Sequence, residues 1–273
     1  IKADLFDENT VYVSLDNHKE GDFNPYLYKS ADRGVTWTSI KGNLPGRTLI
    51  WRLVQDPVVK NLFFVATEFG VYTSLDSGKE WHKLSGIPNM GIRDLVIQKR
   101  ENDLVAASFG RGFFVLDDYS ALREMTSENL KKQAKLFKAR PAKWFVPKSN
   151  VGNTGADYYF ANNPTFGAVF TYHLNGDFTT AKQKRKKRES RLNKINANIP
   201  FPGWEALDKE KNTRPSLVWL NIKDSKGNVI NNISQPARKG TQRIAWNLRH
   251  ASTNPIDPDI TSRGSNRGWR SWG

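Results

Sequence analysis

Apolar residues along this chain gather in short runs that alternate with turn-forming clusters, which is the pattern of strands rather than helices. Ile50–Asp56, Leu62–Glu68, Gly70–Leu75 and Trp81–Leu84 form one complete set of four predicted strands. A second set lies at Ile92–Gln98, Leu104–Phe109 and Phe113–Asp117. An earlier set comprises Thr10–Leu15, Tyr26–Ser30 and Trp37–Ile40, with its innermost strand missing or reduced to Ile1–Phe6. In the second half no helical period appears outside the basic run Lys182–Lys194, which with Leu192, Ile195 and Ile199 reads as a helical or irregular insertion between two strands.

The sets are copies of one another. Tyr28 to Trp37 aligns with Tyr72 to Trp81 at an offset of 44 residues, and both read Tyr-x-Ser-x-Asp-x-Gly-x-x-Trp. A worn third copy, Gly112 to Asp117, lacks the closing Gly and Trp. The motif has a mechanical reading: Ser30 and Ser74 end one strand, and Asp32 and Asp76 accept backbone N–H bonds in the turn. Gly34 and Gly78 take the positive φ, and Trp37 and Trp81 start the returning strand and pack beneath the turn. Four short strands in a period of about 40–50 residues make a propeller blade. Three blades do not close a ring, so residues 1–119 are expected to be the C-terminal blades of a longer propeller chain, partnered by its N-terminal blades.

Beyond the repeats the pattern changes. Residues 120–142 are polar and helix-compatible, and read as a linker. Ala168–Leu174, Leu217–Asp224, Val229–Ile233 and Arg243–Leu248 read as strands, with Asp224 to Asn228 as a hairpin turn. The expectation for 143–273 is a small Ig-like β-sandwich, interrupted by a basic insert at 180–214. Gly264 to Gly273 has no clear element. The fold class is therefore all-β.

Composition sharpens this picture. The 273 residues are 12% aromatic with nine Trp, which suits pleated, half-buried surfaces. With no Cys, disulfides, thiolate catalysis and Cys-ligated zinc are excluded. Apolar runs such as Leu62–Ala66 and Leu217–Leu220 fall far short of the ~20 residues of a membrane helix. The chain opens on Ile1, so it is expected to be processed or part of something longer. Of a net charge of +15, nearly half lies in Lys182–Lys194, which holds eight cations against Glu189 alone. Lys184, Arg185, Lys186, Lys187 and Arg188 are its candidate contacts for a polyanion or anionic lipid. No aromatic residue interleaves the run, as stacked bases require, so a solvated excursion is expected rather than a specific nucleic-acid site.

Ser-x-Asp-x-Gly-x-x-Trp is the Asp-box, or BNR repeat, of sialidases, xyloglucanase-type and sortilin-like propellers. Asn24 to Tyr28, Gly42 to Pro45, Ala66 to Tyr72, Arg100 to Val105 and Gly110 to Asp118 stand in an order that resembles the last blades of large bacterial exported proteins of the sortilin-like, BNR-repeat family. Phe201 to Trp204 and Arg243 to Arg249 extend the resemblance. It implies a secreted, periplasmic or cell-surface location; the hydrolase label in that family comes from fold, and fold does not give function.

Candidate chemistry is sparse. Glycosidases need two facing carboxylates. Asp56, Glu68, Asp94, Asp103, Asp117 and Asp118 lie near strand ends, yet each has a turn or closure role as its simpler explanation, so no catalytic residue is assigned. Arg52, Arg93 and Arg111 could contribute to a carboxylate-gripping cluster. His18, His82, His173 and His250 are scattered without metal-ligand spacing, and no metal or cofactor is expected. Gly110-Arg111-Gly112 is a turn, not a dinucleotide loop. Trp51 and Phe69, near inner strands, are expected first to pack in the core, with ligand contact as the alternative. The leading expectation is a non-catalytic exported propeller binding a protein or glycan. The alternatives are a glycoside hydrolase whose acids lie partly in other blades, and a polyanion binder through 182–194.

Overall fold

The middle four-stranded sheet organises the first half of the protein. In the computed structural model, which describes residues 1–146 and 163–251, strands β1 (Lys2–Ala3), β2 (Val11–Asn17), β3 (Asp22–Ser30) and β4 (Thr38–Ser39) pair in sequence order as an antiparallel meander. β5 (Ile50–Gln55), β6 (Phe63–Thr67), β7 (Gly70–Ser74) and β8 (His82–Lys83) repeat that meander. β9 (Ile92–Gln98), β10 (Asp103–Ser108) and β11 (Phe113–Leu116) form a third sheet without a fourth strand. These are the blades read from the repeat.

Side chains alternate across a strand. On β6, Phe63 and Val65 therefore enter one core with Tyr12 and Leu27 of the first blade, while Phe64 and Ala66 enter another with Ile92, Leu95 and Leu104 of the third. All five residues of β6 and all five of β7 are buried; β6 accordingly reads as a nearly unbroken apolar run, while on β7 the buried Thr73 hydroxyl donates to Phe63 O (3.1 Å) and that of Ser74 to Asp76 (2.8 Å). The flanking blades each have an uncovered face: Leu15 and Val35 are exposed on the first, and Val96, Phe113 and Val115 on the third.

A polar clamp fastens the end of β5 to the segment just after the third blade. The fully buried Asp56 accepts hydrogen bonds from the Val58 and Val59 amides (2.8 and 2.6 Å), from the Tyr119 hydroxyl (2.7 Å) and from Arg123 Nε (2.9 Å). Burial alone would raise its carboxyl, but Arg123, Tyr119 and the two amides outweigh burial and hold it below the usual carboxylate range. Asp56 does turn the chain before Pro57, as its sequence context suggests, but its ion pair with Arg123, 67 residues away, is invisible in sequence.

A short 3-10 segment (Tyr119–Glu124), α1 (Ser127–Lys131) and β12 (Ala134–Leu136) lead onward. The stretch expected to be a linker, 120–142, thus contains a strand: β12 pairs with β13 (Ala168–Leu174), which pairs in turn with β16 (Gly240–Trp246). β14 (Leu217–Lys223) and β15 (Val229–Pro236) form a separate hairpin closed at Asp224 to Asn228, and the two sheets enclose a small core of Tyr172, Leu174 and Ala237 with Val218, Leu220 and Ile244. Between β13 and β14 stand α2 (Ala181–Lys194) and α3 (Trp204–Asn212). Arg243 ties this sandwich to the blades by donating to the carbonyls of Asp117 and Asp118 (2.7 and 2.6 Å). Gly264 to Gly273 lies outside the described residues.

Removing one partner of a buried ion pair strands the other, so Asp56→Ala should lower unfolding stability by about 3–5 kcal/mol. Urea titration followed by tryptophan fluorescence measures this; a loss within about 1 kcal/mol, as for an exposed pair, would show the clamp to be incidental.

Candidate functional site

Antiparallel meanders place turns of one kind at one end of the stack. The turns joining third to fourth strands carry the Asp-box motifs. In the first, Ser30 Oγ donates to Asp32 (2.6 Å), the Gly34 amide donates to Ser30 Oγ (2.8 Å) and the Thr36 amide donates to Asp32 (2.9 Å). In the second, Ser74 Oγ donates to Asp76 (2.8 Å), while the Gly78 and Glu80 amides donate to Ser74 and Asp76 (2.8 and 3.0 Å). Both glycines have positive φ, and so do Arg33 and Ser77 just before them.

The two tryptophans differ. Trp37 Nε1 donates to Gly34 O within its own turn, and the ring stays 44% exposed. Trp81 instead donates to Ile40 O in the connection from the preceding blade, and is 3% exposed. Asn43 completes that seam by accepting from the Trp81 amide (2.6 Å). The seam is so close that a Cβ on Gly42 would stand 2.4 Å from Lys79 O.

The opposite end carries the turns joining second to third strands, the connection between blades and the starts of β5 and β9. Here lies a cleft of about 570 Å³ lined by His18, Phe23, Arg47, Trp51, Glu68, Phe69 and Arg93, with Gly46 and Leu49. Its volume is in the range of small-ligand sites. Trp51 Nε1 donates to Glu68 (2.9 Å), and Arg93 approaches the same carboxylate (3.7 Å). The Arg93 guanidinium also stacks 3.7 Å over the Trp51 ring and lies 5.1 Å from the Phe109 ring. Arg47 sits 5.4 Å from the Phe23 ring, and His18, held by Asp16, presents its ring to the edge of Trp51. Phe23 and Phe69 keep exposed aromatic surface facing the opening. Aromatic faces beside fixed donors and one acceptor suit a ligand with apolar C–H faces and many hydroxyls, such as a sugar.

Among the sequence candidates, Trp51, Phe69, Glu68 and Arg93 come together in this cleft. Arg52 pairs with Asp94 outside its lining (3.2 Å), and Arg111 does not line it either. Asp103 and Asp118 face Arg140 at the junction with the sandwich. Glu68 is the one carboxylate lining the cleft among the described residues, so the facing pair of a glycosidase is not present there. No cluster of metal-ligating side chains occurs among the described residues. His18 and Arg47 escaped sequence reasoning because they lie in turns, where no periodicity marks the inward side, and Phe23 because β3 begins at Asp22, four residues before the strand expected from Tyr26.

On α2 the five basic candidates separate. Arg185 is committed, donating to Glu210 (2.9 Å) and Glu189 (2.7 Å), and Lys184 pairs with Asp177 (2.9 Å). Lys186, Lys187 and Arg188 remain exposed.

No family model matches the chain. Two curated relatives are similar over part of it: Xyloglucanase Xgh74A of Acetivibrio thermocellus (32% identity, 33% of this chain, 12% of the relative) and a xyloglucanase of Paenibacillus sp (30% identity, 33% of this chain, 10% of the relative). The chain thus spans about a tenth of the length of the curated relatives it matches. Among solved structures, an ancestral GH74 enzyme matches at 24% identity over 40% of this chain and 13% of that chain, with a TM-score of 0.34. The GH74 enzyme of Niastella koreensis matches at 16% identity over 43% of this chain and 19% of that chain, with a TM-score of 0.36.

The Asp32 carboxyl is held down to about 2, chiefly by hydrogen bonds from Ser30 and Thr36. A depressed folded-state value stabilises above the unfolded value near 4 and loses that contribution as pH falls toward 2. Stability measured by thermal melts should therefore decline across that window, and Asp32→Asn should flatten the decline; an unchanged slope would remove Asp32 from the account.

Proposed function

We propose that the protein is a polysaccharide-recognising β-propeller of the glycoside-hydrolase type, and that the cleft of Phe23, Trp51, Glu68, Phe69 and Arg93 binds the glycan. The observation that supports it is the pairing of two exposed aromatic rings with a fixed Glu68–Trp51–Arg93 polar group in one cleft. Sugar C–H faces would rest on Phe23 and Phe69, hydroxyls would donate to Glu68, and the guanidinium groups would donate to ring and hydroxyl oxygens. The xyloglucanase relatives favour this glycan reading over a protein partner, and a substituted β-glucan such as xyloglucan is the substrate class we would test first.

Hydrolysis is a second reading, favoured by the same relatives over the non-catalytic one. It requires a second carboxylate facing Glu68 from another part of a longer chain. Trp37 supports such a chain: in the second blade the equivalent Trp81 is covered by Ile40, one repeat earlier, so Trp37 and its groove with Val13, Leu15 and Tyr28 would be covered by a preceding blade. We assign residues 1–119 to blades of this Asp-box propeller and the sheets from β12 onward to an accessory sandwich. No described helix is long and apolar enough to cross a membrane. A plant-type polysaccharide substrate would favour a secreted or cell-surface location.

Titration calorimetry with xyloglucan oligosaccharides should detect binding that Phe69→Ala or Phe23→Ala weakens by roughly ten- to a hundredfold, about 1–3 kcal/mol per lost aromatic contact. Asp76→Ala, at the other end of the stack, should leave that affinity unchanged. Absence of binding to xyloglucan and to other β-glucans, or equal weakening by Asp76→Ala in folded protein, would overturn the assignment. Release of reducing ends by a longer chain that carries the further blades would select hydrolysis; binding without release by that longer chain would select recognition alone.

A further inference from the structure

The α2–α3 insert has a feature that a glycan cleft does not use. α2 starts on a capping box formed by Thr180 and Gln183, runs for fourteen residues and buries none of them. Arg185, in its first half, ties it to α3 by donating to Glu210 near the end of that helix. The helices are therefore antiparallel and joined near their base, and the connection Ile195 to Gly203 lies at the free end. At 1.5 Å rise per residue that end stands about 15 Å beyond Arg185.

The free end is apolar. Ile195 (70% exposed), Ile199, Phe201 (61%) and Trp204 (75%) are all exposed there, and the Phe201 and Trp204 rings pack edge to face with centroids 5.1 Å apart. The shaft behind them is cationic. Lys186, Lys187, Arg188, Arg191 and Lys194 form no ion pair among the described residues. Cations surround α2, so it has no apolar face with which to lie flat on a core or a bilayer; the apolar groups are confined to one end.

We infer that this helical hairpin is a membrane-docking element: the Ile195–Trp204 tip inserts end-on into the headgroup region of an anionic lipid surface, and the basic shaft binds the surrounding phosphates. Trp and Phe favour the boundary where one part of the ring is apolar and the other wet. Arginine and lysine behind them are drawn to the negative surface potential, which falls off within a Debye length and so acts only once the tip is at the membrane. A nucleic-acid site would need aromatics between the cations, whereas here they are separated from the cations along the hairpin axis. This placement is independent of the glycan reading, since the insert shares no lining residue with the cleft.

The test uses the full chain and sedimentation with vesicles of phosphatidylcholine alone or mixed with phosphatidylglycerol. Binding is expected only to the mixed vesicles and should weaken steeply with added salt. The double variant Phe201→Ser, Trp204→Ser and the triple variant Lys186→Gln, Lys187→Gln, Arg188→Gln should each lower affinity by at least about tenfold, both or all positions being exposed. In the unaltered protein, brominated acyl chains should quench tryptophan emission, and Trp204→Phe, which keeps the tip apolar, should abolish that quenching while retaining binding. No binding to mixed vesicles at low salt overturns the inference. So does a folded tip variant that binds as well as the unaltered protein, or binding without quenching: either result would reduce the insert to a plain polyanion patch.

Discussion

The stack rests on two strands with no solvent face. β6 and β7 send alternate side chains into two different cores, so Phe63 and Val65 require the first blade while Phe64 and Ala66 require the third. Each fully buried side chain of this kind stabilises by about 1.5–3 kcal/mol, and exposing either face would forfeit several at once. The strand thereby fixes the spacing of its neighbours, and the glycine approach at Gly42 and the Trp81–Ile40 hydrogen bond close the seam that this spacing creates. Polar clamps then lock the strand ends. Asp56 holds Tyr119 and Arg123, and Asp4 accepts from Tyr12 (2.6 Å) and Gln55 (2.9 Å) one blade earlier.

That stacking separates two ends with different tasks. The Asp-box turns are satisfied internally: their serine, aspartate and glycine groups are consumed by one another. At the other end, turns from two blades, the connection between them and the start of β9 converge without consuming all their polar atoms or covering their rings. Glu68 and Arg93 come from different blades, so the floor of the cleft exists only when the second and third blades are packed together. The route from apolar alternation to a candidate site thus runs through one buried pair of strands.

Much of the fold was legible because β-strands reveal themselves locally. The repeat of Tyr-x-Ser-x-Asp-x-Gly-x-x-Trp fixed the blade period, and the strand expectations for the complete blade agree with β5 to β8 within two residues. Trp51 and Phe69 were legible as candidates because they flank inner strands. The features that escaped were non-local. Nothing near Asp56 in sequence announces Arg123, and Trp81 was expected beneath its own turn but bonds to the previous blade. β12 was hidden because three residues are too short for a period to register, and pairing with β13 rather than its own pattern makes it a strand. The basic run looked uniform in sequence, yet helical spacing puts Arg185 and Glu189 on one side and aligns them with Glu210 of a second helix.

The central claim, that the end of the stack opposite the Asp-boxes is the ligand-binding surface, is tested most directly by hydrogen–deuterium exchange with and without the oligosaccharide. The account predicts slower exchange in ligand at the backbone around Arg47 to Trp51, Glu68 to Phe69 and Gly91 to Arg93, with unchanged exchange at the turns of Asp32 and Asp76. Protection confined to the sandwich, to the α2–α3 insert or to the Asp-box turns would contradict it.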